Sequence, residues 1–475
     1  MSKCYALSGL RVAYLASKKS EYLKKYIPPW SVSLPAQLAA IHALKNPTYY
    51  IENYRIIHSE RKMMSNELSS IGFTVYSGVA NYILTLLPEN TNFTSKSFIE
   101  ACRDKKLFVR DAQNMGITLT DKSVRFAIRS PKENKEIFKV VENIFIKMGM
   151  SKKDAELSAD VLIYADIRGI ESHGVSNMLR RYVESFSEGG INPTPKPKVI
   201  RGKGAVATLD SDSGHGLVVG PYAMNMAIEK AKDYGIGSVT VINGKHFGAC
   251  AYHAEMALKH NMIGIAMTTG GLMVAPVNGA EAKVGLNPIG VAVPTKDEPP
   301  FIFDASMSSV AGNKIALAQR LGVKVMGGWI AKEDGTPIME ESIVPDKYLM
   351  LPAGGTREIG SHKGFSLAML VEILAGVLGG SGAGNFRRSD AAHHFIAYDI
   401  DSFTDVDQFK SDMDDYMKSI KETKPAPGVD RVLYAGLPEY EEKIEREENG
   451  IPYHPEVLDW FKGICAELGI DWKLS

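Results

Sequence analysis

Two histidines of this sequence, His173 and His246, lie where a side chain could exchange a proton with a bound molecule. Histidine suits that role because its unperturbed pKa, about 6.5, is close to neutral pH. His173 follows a predicted helix and precedes Gly174, and a glycine lets backbone approach a ligand closely. His246 lies between a predicted strand and a predicted helix, where ligand crevices form in α/β folds. The alternative for His173 is a local hydrogen bond that closes a turn.

Other candidate residues lie in glycine-rich turns. The Gly-x-Gly-x-x-Gly turn of a Rossmann fold is not found, because the glycine run at residues 379–384 follows a predicted helix and does not open one. The turns at residues 268–271 and 352–355 could hold phosphate through backbone N–H groups or could be simple tight turns. His215, between two glycines, fits loop packing as well as a functional role.

The elements that would position these residues alternate between helix and strand. Ser151 with Asp154 predicts the start of a helix that leads to residues 166–174. Residues 221–234 predict a helix that ends at Gly235, followed by a strand at 238–242. A helix at 249–261 and a strand at 262–268 follow, and residues 365–378, apolar almost all round, predict a buried helix. The fold class is therefore α/β.

Composition limits the classes of function. The chain has 475 residues, enough for two or three domains, with a seam near Ser130 and Pro131. Its 55 basic and 55 acidic residues balance, so neither a nucleic acid nor a membrane surface is expected as a partner. The four cysteines are far apart, which predicts no metal site and no disulfide framework and fits a cytoplasmic protein. No stretch predicts a membrane span or a leader peptide.

Five motifs, in order and spacing, resemble the malate/L-lactate/ureidoglycolate dehydrogenase family, which is unrelated to the Rossmann-type lactate and malate dehydrogenases. They begin at Asp166, Lys245, Gly285, Asp304 and His362, and the resemblance covers residues 135–475. The first runs from Asp166 through Ser172 and His173 to Gly174, the second is Lys245-His246-Phe-Gly, and the fourth is Asp304-Ala-Ser306. The resemblance implies a non-Rossmann α/β dehydrogenase domain over these residues.

The resemblance also assigns roles. It implies that His173 is the proton donor and acceptor and that His246 lies near the substrate, a small 2-hydroxy or 2-oxo acid. It implies NAD, with NADP as the alternative, and a homodimer. The residues matched to the cofactor site are Ser172, Asp304, Ala305, Ser306, His362, Lys363 and Gly436.

Two positions depart from the family pattern. Asn177 stands where many members have an arginine that binds the substrate carboxylate, and Leu437 replaces the glutamate of the C-terminal cofactor loop. Since a guanidinium is the better bidentate clamp, we expect Arg180 or Arg181, one helical turn further on, to supply the charge; Arg168 is a further candidate. The alternative is that these arginines are only solvated surface charges.

The first 134 residues have a different resemblance, to the C-terminal part of fold-type I aminotransferases. They are similar to the histidinol-phosphate aminotransferase and threonine-phosphate decarboxylase branch, which implies an α+β small domain. In that family Lys3 would match the lysine that binds pyridoxal phosphate, Arg11 the phosphate ligand, and Arg125 the substrate-carboxylate ligand. The large domain that completes the cofactor pocket in that family has no counterpart before Lys3, so we expect a remnant or packing domain without transaminase activity of its own. The alternative is that a partner chain supplies the missing half of the pocket.

Three hypotheses follow from the sequence. The first is a nicotinamide-dependent 2-hydroxy acid dehydrogenase that uses His173. The second is a pyridoxal-phosphate activity from the first 134 residues, and the third is an inactive fusion whose domains act in assembly. An internal aldimine absorbance would indicate the second, and tight NADH binding would count against the third.

Overall fold

The computed structural model describes residues 132–472 without a break and residues 58–127 with gaps. The chain divides into two compact units. One comprises residues 1–132 with 447–450 and 475, and the other comprises residues 133–446 and 451–474. In the described part of the chain, no helix combines the length and apolarity needed to cross a bilayer.

The first unit contains an antiparallel sheet of four strands and a helix. Its elements are β1 (Thr74–Tyr76), β2 (Tyr82–Leu86), α1 (Ser95–Asp104), β3 (Arg110–Asp111) and β4 (Ser123–Ala127). The strand order is β1-β2-β4-β3. Apolar side chains from the sheet and the helix, among them Ile83, Ile99 and Val124, are buried together. This arrangement fits the predicted α+β class.

Helices open the second unit: α2 (Lys132–Lys147), α3 (Lys152–Ile167) and α4 (Val175–Ser187). The predicted start of α3 is confirmed, because the Ser151 side chain accepts a hydrogen bond from the Asp154 N–H group. The three helices share one buried apolar core with Phe461 and Ile464 near the C-terminus. This core fixes the position of α4 relative to α3, and the segment between these two helices contains His173.

A sheet of seven strands forms the centre of this unit. Its elements, with the helices between them, are β5 (Lys198–Lys203), β6 (Val206–Asp210), α5 (Gly216–Tyr234), β7 (Ile236–Gly244), α6 (Cys250–Glu255), β8 (Met262–Thr268), β9 (Ile289–Val293) and β10 (Phe301–Ala305). The seventh strand comes much later in the chain, at residues 391–399, and the strand order places it between β8 and β7. All neighbours are antiparallel except β6 and β7, which are parallel. The sheet is therefore mostly antiparallel, unlike a Rossmann sheet.

The helices on this sheet largely follow the prediction. α5 ends at Gly235, which adopts the left-handed conformation with φ +76° that favours glycine at a helix end. The predicted helix 249–261 is shorter, since α6 gives way to a 3₁₀ segment at Met256–His260. Small and apolar side chains of α5, including Ala223, Ala227 and Ala231, are fully buried against the sheet.

The remainder of the unit is built from short strands and longer helices. It contains α7 (Gly312–Leu321), β11 (Lys324–Val325), β12 (Ile330–Ala331), β13 (Ser342–Ile343), β14 (Leu349–Met350), α8 (Ser361–Val371), β15 (Ala391–Asp399), α9 (Val406–Lys421), α10 (Leu437–Asn449) and α11 (Pro455–Leu468). A π-helical turn, Glu372–Val377, continues α8.

Residues 365–378 are helical as predicted, but the prediction that this helix is buried is wrong for one of its sides. One side is buried, including Ala368, Val371 and Ala375, but six large apolar side chains are exposed on the other. They are Leu367, Met369, Leu370, Ile373, Val377 and Leu378. The sequence pattern was correct about apolarity but could not show that this chain covers only one side of the helix.

Candidate active site

A cavity of about 1110 Å³ lies in the second unit. One face of α4 forms part of its wall through Met178, Arg181, Tyr182 and Ser185, at the i, i+3, i+4, i+7 spacing of a helix. Other parts of the wall come from β10, the start of α7 and residues 434–443. A cavity of this size can hold a dinucleotide together with a small acid.

His173 lies on the cavity wall, in the short segment between α3 and α4. The carboxylate of Asp166 accepts a hydrogen bond from the Val175 N–H group over 2.8 Å, and so satisfies a donor at the start of α4. Gly174 packs on the same carboxylate so closely that a Cβ there would lie 1.8 Å from Asp166 Oδ1. The glycine is therefore required by this close contact, which fixes the backbone next to His173.

Asp166 itself is buried and hydrogen-bonded. Its Oδ2 atom also accepts a hydrogen bond from the Tyr453 hydroxyl over 2.8 Å. Burial raises the pKa of the Asp166 carboxyl to about 7, while the bonds from Tyr453 and Val175 act in the opposite direction. Asp166 thus holds the backbone that follows His173 and does not line the cavity.

His246 lies on the cavity wall beside His173, and the two imidazole rings stack with centroids 5.5 Å apart and planes 18° apart. Its Nδ1 atom lies 2.6 Å from the Tyr182 hydroxyl and 3.3 Å from the Gly248 backbone nitrogen. The backbone of this segment contacts α5, because a Cβ on Gly216 would lie 2.3 Å from the His246 carbonyl oxygen. Sequence reasoning missed Tyr182, although its spacing from Met178 and Arg181 was a signal.

Both histidines are held neutral. Burial and, to a smaller extent, the positive charge of Arg181 together lower the pKa of His173 to about 4. Burial also lowers the pKa of His246 well below its usual value, with contributions from His173 and Arg181 among other nearby groups. A neutral imidazole can accept a proton or donate a hydrogen bond, so both rings are suited to act on a hydroxyl or carbonyl group.

The edge strand β10 contributes Asp304, Ala305 and, just beyond its end, Ser306 to the wall. The Asp304 carboxylate accepts a hydrogen bond from the Ala251 N–H group over 2.7 Å. Desolvation raises the pKa of Asp304 to about 7, backbone hydrogen bonds lower it, and the Glu439 charge raises it.

The C-terminal segment, residues 434–440, lies along the same strand. The Ala435 carbonyl accepts a hydrogen bond from the Ile302 N–H group over 3.1 Å. Gly436 has φ +93°, and a Cβ there would lie 2.8 Å from the Ile302 nitrogen. Only glycine fits at this point without strain. Leu437, in contrast, is buried in an apolar cluster with Met417 and does not line the cavity.

Several further groups could hold a phosphate-containing cofactor. The start of α7 lines the cavity with Gly312, Asn313 and Lys314, and no side chain caps its free N–H groups. A helix N-terminus with a lysine is a favourable place for an anion. The Asn313 amide also donates a hydrogen bond to the Ser172 carbonyl over 2.6 Å, which links α7 to the His173 segment.

The turn at residues 268–271 also lines the cavity, and a buried network holds it. Asn287 accepts a hydrogen bond from the Gly270 N–H group and donates to Glu372 Oε1, each over 3.0 Å. Glu372 pairs with Arg387, whose Nη2 atom donates to the Gly270 carbonyl. The asparagine of the Gly285-Leu-Asn-Pro motif therefore supports the wall from behind and is itself fully buried.

The cavity wall also contains an ion pair between Arg168 and Glu255, in which Arg168 Nη2 lies 3.0 Å from Glu255 Oε1. The Tyr164 hydroxyl donates to the other carboxylate oxygen over 2.6 Å, and the guanidinium lies 3.6 Å above the Tyr164 ring. Because Arg168 is paired in this way, its charge is already balanced within the cavity.

The structure brings together most of the predicted site residues. Those that line the cavity are Ser172, His173, Arg181, His246, Asp304, Ala305, Ser306 and Gly436. His215 lies outside it and is fully buried, where its Nδ1 atom lies 3.4 Å from the Ser158 hydroxyl. It therefore packs within the helical core.

Some predicted residues lie elsewhere. Arg180 does not line the cavity, because it projects from another side of α4 and lies 5.3 Å above the Trp460 ring. Asn177 is exposed, and its amide donates to the Glu171 carbonyl over 2.7 Å. His362 and Lys363 are also exposed and outside the cavity. The buried side of their helical turn is formed by Ser361 and Gly364, where a Cβ on Gly364 would lie 2.4 Å from the Ala353 carbonyl oxygen.

Of the three aminotransferase-like residues, Arg125 is among the described residues. Lys3 and Arg11 lie outside the described residues. Arg125 lies in the centre of β4, opposite Leu84 of β2 and Arg110 of β3.

Comparison with known proteins confirms both resemblances. The family model "Malate/L-lactate dehydrogenase" matches residues 133–462, and the model "Aminotransferase class I and II" matches residues 1–142. Malate dehydrogenase of Pyrococcus abyssi is 39% identical over 72% of this chain and 96% of its own length. L-sulfolactate dehydrogenase of Methanocaldococcus jannaschii is 33% identical over 70% of this chain and 96% of its own length.

Two further relatives extend the comparison. Ureidoglycolate dehydrogenase (NAD(+)) of Escherichia coli O157:H7 is 29% identical over 63% of this chain and 86% of its own length. The solved structure of malate dehydrogenase from Entamoeba histolytica superposes with a TM-score of 0.68 at 30% identity, covering 72% of this chain and 98% of that one. These relatives are dehydrogenases, so they do not favour a pyridoxal-phosphate activity. From residue 133 onward, this chain belongs to the malate/L-lactate dehydrogenase family.

Proposed function

We propose that this chain oxidises a small 2-hydroxy acid, and reduces the matching 2-oxo acid, with a nicotinamide cofactor and with His173 as the proton-transfer group. The observation that carries the proposal is the position of His173 on the wall of a large cavity, with His246 stacked on it and Arg181 on the same wall. The names of the family relatives support the same class of substrate.

The residues present fit such a cofactor. The start of α7 and Lys314 would hold the diphosphate, and the backbone at Gly436 lies on the wall of the same cavity. When bound, the nicotinamide accepts a hydride from the substrate carbon. We propose NAD, as in the name of the E. coli relative, because Glu439 adds negative charge to the wall of this cavity, which disfavours the extra phosphate of NADP. NADP remains the alternative.

The protein's own part in the reaction is to bind the acid and move one proton. Arg181 would bind the substrate carboxylate, since Arg168 is paired with Glu255 and Arg180 lies outside the cavity. His173 would take the hydroxyl proton during oxidation and return it during reduction. A bound carboxylate offsets the charge of Arg181, the smaller of the two causes that lower the pKa of His173, and so raises that pKa.

The test is a screen of malate, lactate, sulfolactate and ureidoglycolate with NAD and NADP, followed by the nicotinamide absorbance. With the best pair, His173→Ala is expected to lower kcat by about 10²- to 10⁴-fold, the usual contribution of general acid–base catalysis. His260→Ala, which removes an exposed histidine outside the cavity, is the control. Near-normal turnover by His173→Ala with unchanged unfolding by urea would overturn the assignment.

A second pair of variants tests the substrate clamp. Arg181→Ala should raise KM by about tenfold or more, because a hydrogen bond to a charged group contributes about 1.5–3 kcal/mol. The neighbouring Arg180→Ala should leave KM within about twofold, since its guanidinium lies over Trp460. Equal effects of the two variants would contradict the assignment to Arg181.

The assembly state and location are part of the same proposal. We propose a homodimer in which a second copy covers the exposed apolar side of the helix at residues 367–378. Sedimentation of the wild type should give a dimer, and Leu370→Glu should shift it to a monomer.

The thiols of Cys102, Cys250 and Cys465 are free, which supports a location in the reducing cytoplasm.

We propose that the aminotransferase-like part has no pyridoxal-phosphate activity of its own. Incubation with pyridoxal phosphate is expected to give no aldimine absorbance band. A band that disappears in Lys3→Ala would contradict this.

A further inference from the structure

We propose that Tyr182 is a positioning residue that fixes His246 as the tautomer with its proton on Nε2. His246 then donates a hydrogen bond to a substrate oxygen and leaves proton transfer to His173. The second part of this inference rests on the proposed function. The first part, the tautomer, can be measured without any substrate.

The two contacts of His246 Nδ1 determine which ring nitrogen is protonated. The backbone N–H group of Gly248, 3.3 Å away, can only donate a hydrogen bond, so the nitrogen that it faces must accept. The Tyr182 hydroxyl lies closer, at 2.6 Å, and as a donor it satisfies the same lone pair. A neutral imidazole has one donor and one acceptor nitrogen. With Nδ1 as the acceptor, the proton is on Nε2.

Tyr182 is well placed to act as a fixed donor. Its side chain is buried, and burial raises the pKa of the phenol, which therefore stays protonated at all working pH values. Its ring packs edge-to-face on His215 with centroids 4.6 Å apart, and His215 is itself packed against Phe145 and Phe186. This packing within the helical core keeps the hydroxyl directed at His246.

His173 is held differently. Its Nδ1 atom lies 2.9 Å from the Ser172 hydroxyl, which can either donate or accept a hydrogen bond. His173 can therefore take either neutral tautomer or carry both protons, as a proton-transfer group must. Because the two rings stack 5.5 Å apart, two positive charges there would repel each other. The geometry thus favours one ring that changes its protonation and one that does not.

The first measurement is the ¹⁵N NMR spectrum of histidine-labelled protein without substrate, with the His246 signals assigned by their loss in His246→Gln. In the wild type, Nε2 of His246 should show the shift of a protonated nitrogen and Nδ1 that of an unprotonated one. In Tyr182→Phe the two shifts should move toward each other as the other tautomer becomes populated. Tyr252→Phe is the matched control, since it removes a phenol bonded to Asp160 outside the cavity.

The second measurement is kinetic. Loss of the donor to Nδ1 should raise the pKa of His246, so the acidic limb of kcat/KM should move to higher pH in Tyr182→Phe and stay in place in Tyr252→Phe. His246→Gln, whose amide can donate but cannot transfer a proton, should retain at least about tenfold more kcat than His173→Gln.

These outcomes separate the inference from the proposed function. A wild-type His246 with its proton on Nδ1 would overturn the inference even if the chain oxidises hydroxy acids. So would a Tyr182→Phe variant with an unchanged tautomer and pH profile. If Tyr182→Phe fails to fold, the wild-type spectrum and the comparison of the two Gln variants still decide. Failure of all hydroxy acids as substrates would refute the proposed function and leave the tautomer result standing.

Discussion

Replacing Glu372 by glutamine should destabilise the second unit strongly, although Glu372 does not line the cavity. Its carboxylate is almost fully buried and faces the equally buried guanidinium of Arg387, with Nη1 3.3 Å from Oε1. It also accepts hydrogen bonds from the Gly384 N–H group and from Asn287, each over 3.0 Å. The variant would leave Arg387 as a buried charge without its counterion. Breaking a buried pair in this way costs about 3–5 kcal/mol.

The assay is urea unfolding followed by tryptophan fluorescence. For a urea m-value of about 3 kcal/mol/M, a loss of about 4 kcal/mol lowers the midpoint by roughly 1.3 M. The control is Glu333→Gln, which breaks the exposed pair of Glu333 and Lys347, in which N and O atoms are 2.8 Å apart. An exposed pair contributes less than about 1 kcal/mol, so its midpoint should fall by less than about 0.3 M. Equal shifts in the two variants would refute the role assigned to the buried pair.

Two further predictions concern pH and the His173 segment. Three fully buried histidines, whose pKa values burial lowers to about 3 or 4, are His215, His253 and His393. Since their unfolded pKa is about 6.5, their stabilising effect is complete above that pH and is lost as the pH falls toward 4. The carboxyls of Asp166 and Asp304, whose pKa values are raised to about 7, have the opposite effect on stability, but they offset the effect of the histidines only in part. The urea midpoint should therefore be lower at pH 4.5 than at pH 7.5. A midpoint that is unchanged or higher at pH 4.5 would contradict this account. Gly174→Ala should lower the midpoint by the equivalent of about 1–3 kcal/mol and reduce kcat, because its Cβ would overlap Asp166. Gly463→Ala, at a helical position with nothing within 4 Å, should be neutral or stabilising, and a similar loss in both variants would remove the argument from Asp166.

Local signals in the sequence were sufficient for several features. The Ser151 cap, the helix end at Gly235 and the strand at 262–268 depend on neighbouring residues, and the structure has all three. The missing glycine fingerprint correctly argued against a Rossmann fold, since the seven-stranded sheet is mostly antiparallel. The resemblance then provided what local patterns could not, namely that His173 and His246, far apart in sequence, lie together.

Other features depend on contacts that a sequence pattern does not encode. Arg180 and Arg181 look equivalent in sequence. Because adjacent residues of a helix point about 100° apart, only Arg181 lines the cavity. In the sequence, Tyr182 looks like one more apolar position of α4. Its hydroxyl contacts His246 only because the chain after β7 brings that histidine next to α4. The exposure of His362 and Lys363 likewise follows from how tightly Gly364 packs on the Ala353 backbone.

The position of β15 in the central sheet has a consequence for how the protein is made. This strand pairs with β7 on one side and β8 on the other, although residues 391–399 follow β8 by more than a hundred positions. While the ribosome is still synthesising residues 270–390, β15 is absent, so β7 and β8 each have one edge with unpaired backbone N–H and C=O groups. Contacts so distant in sequence form slowly. A nascent chain that stalls before β15 emerges therefore displays two open strand edges, and such chains should be prone to aggregation and dependent on chaperones.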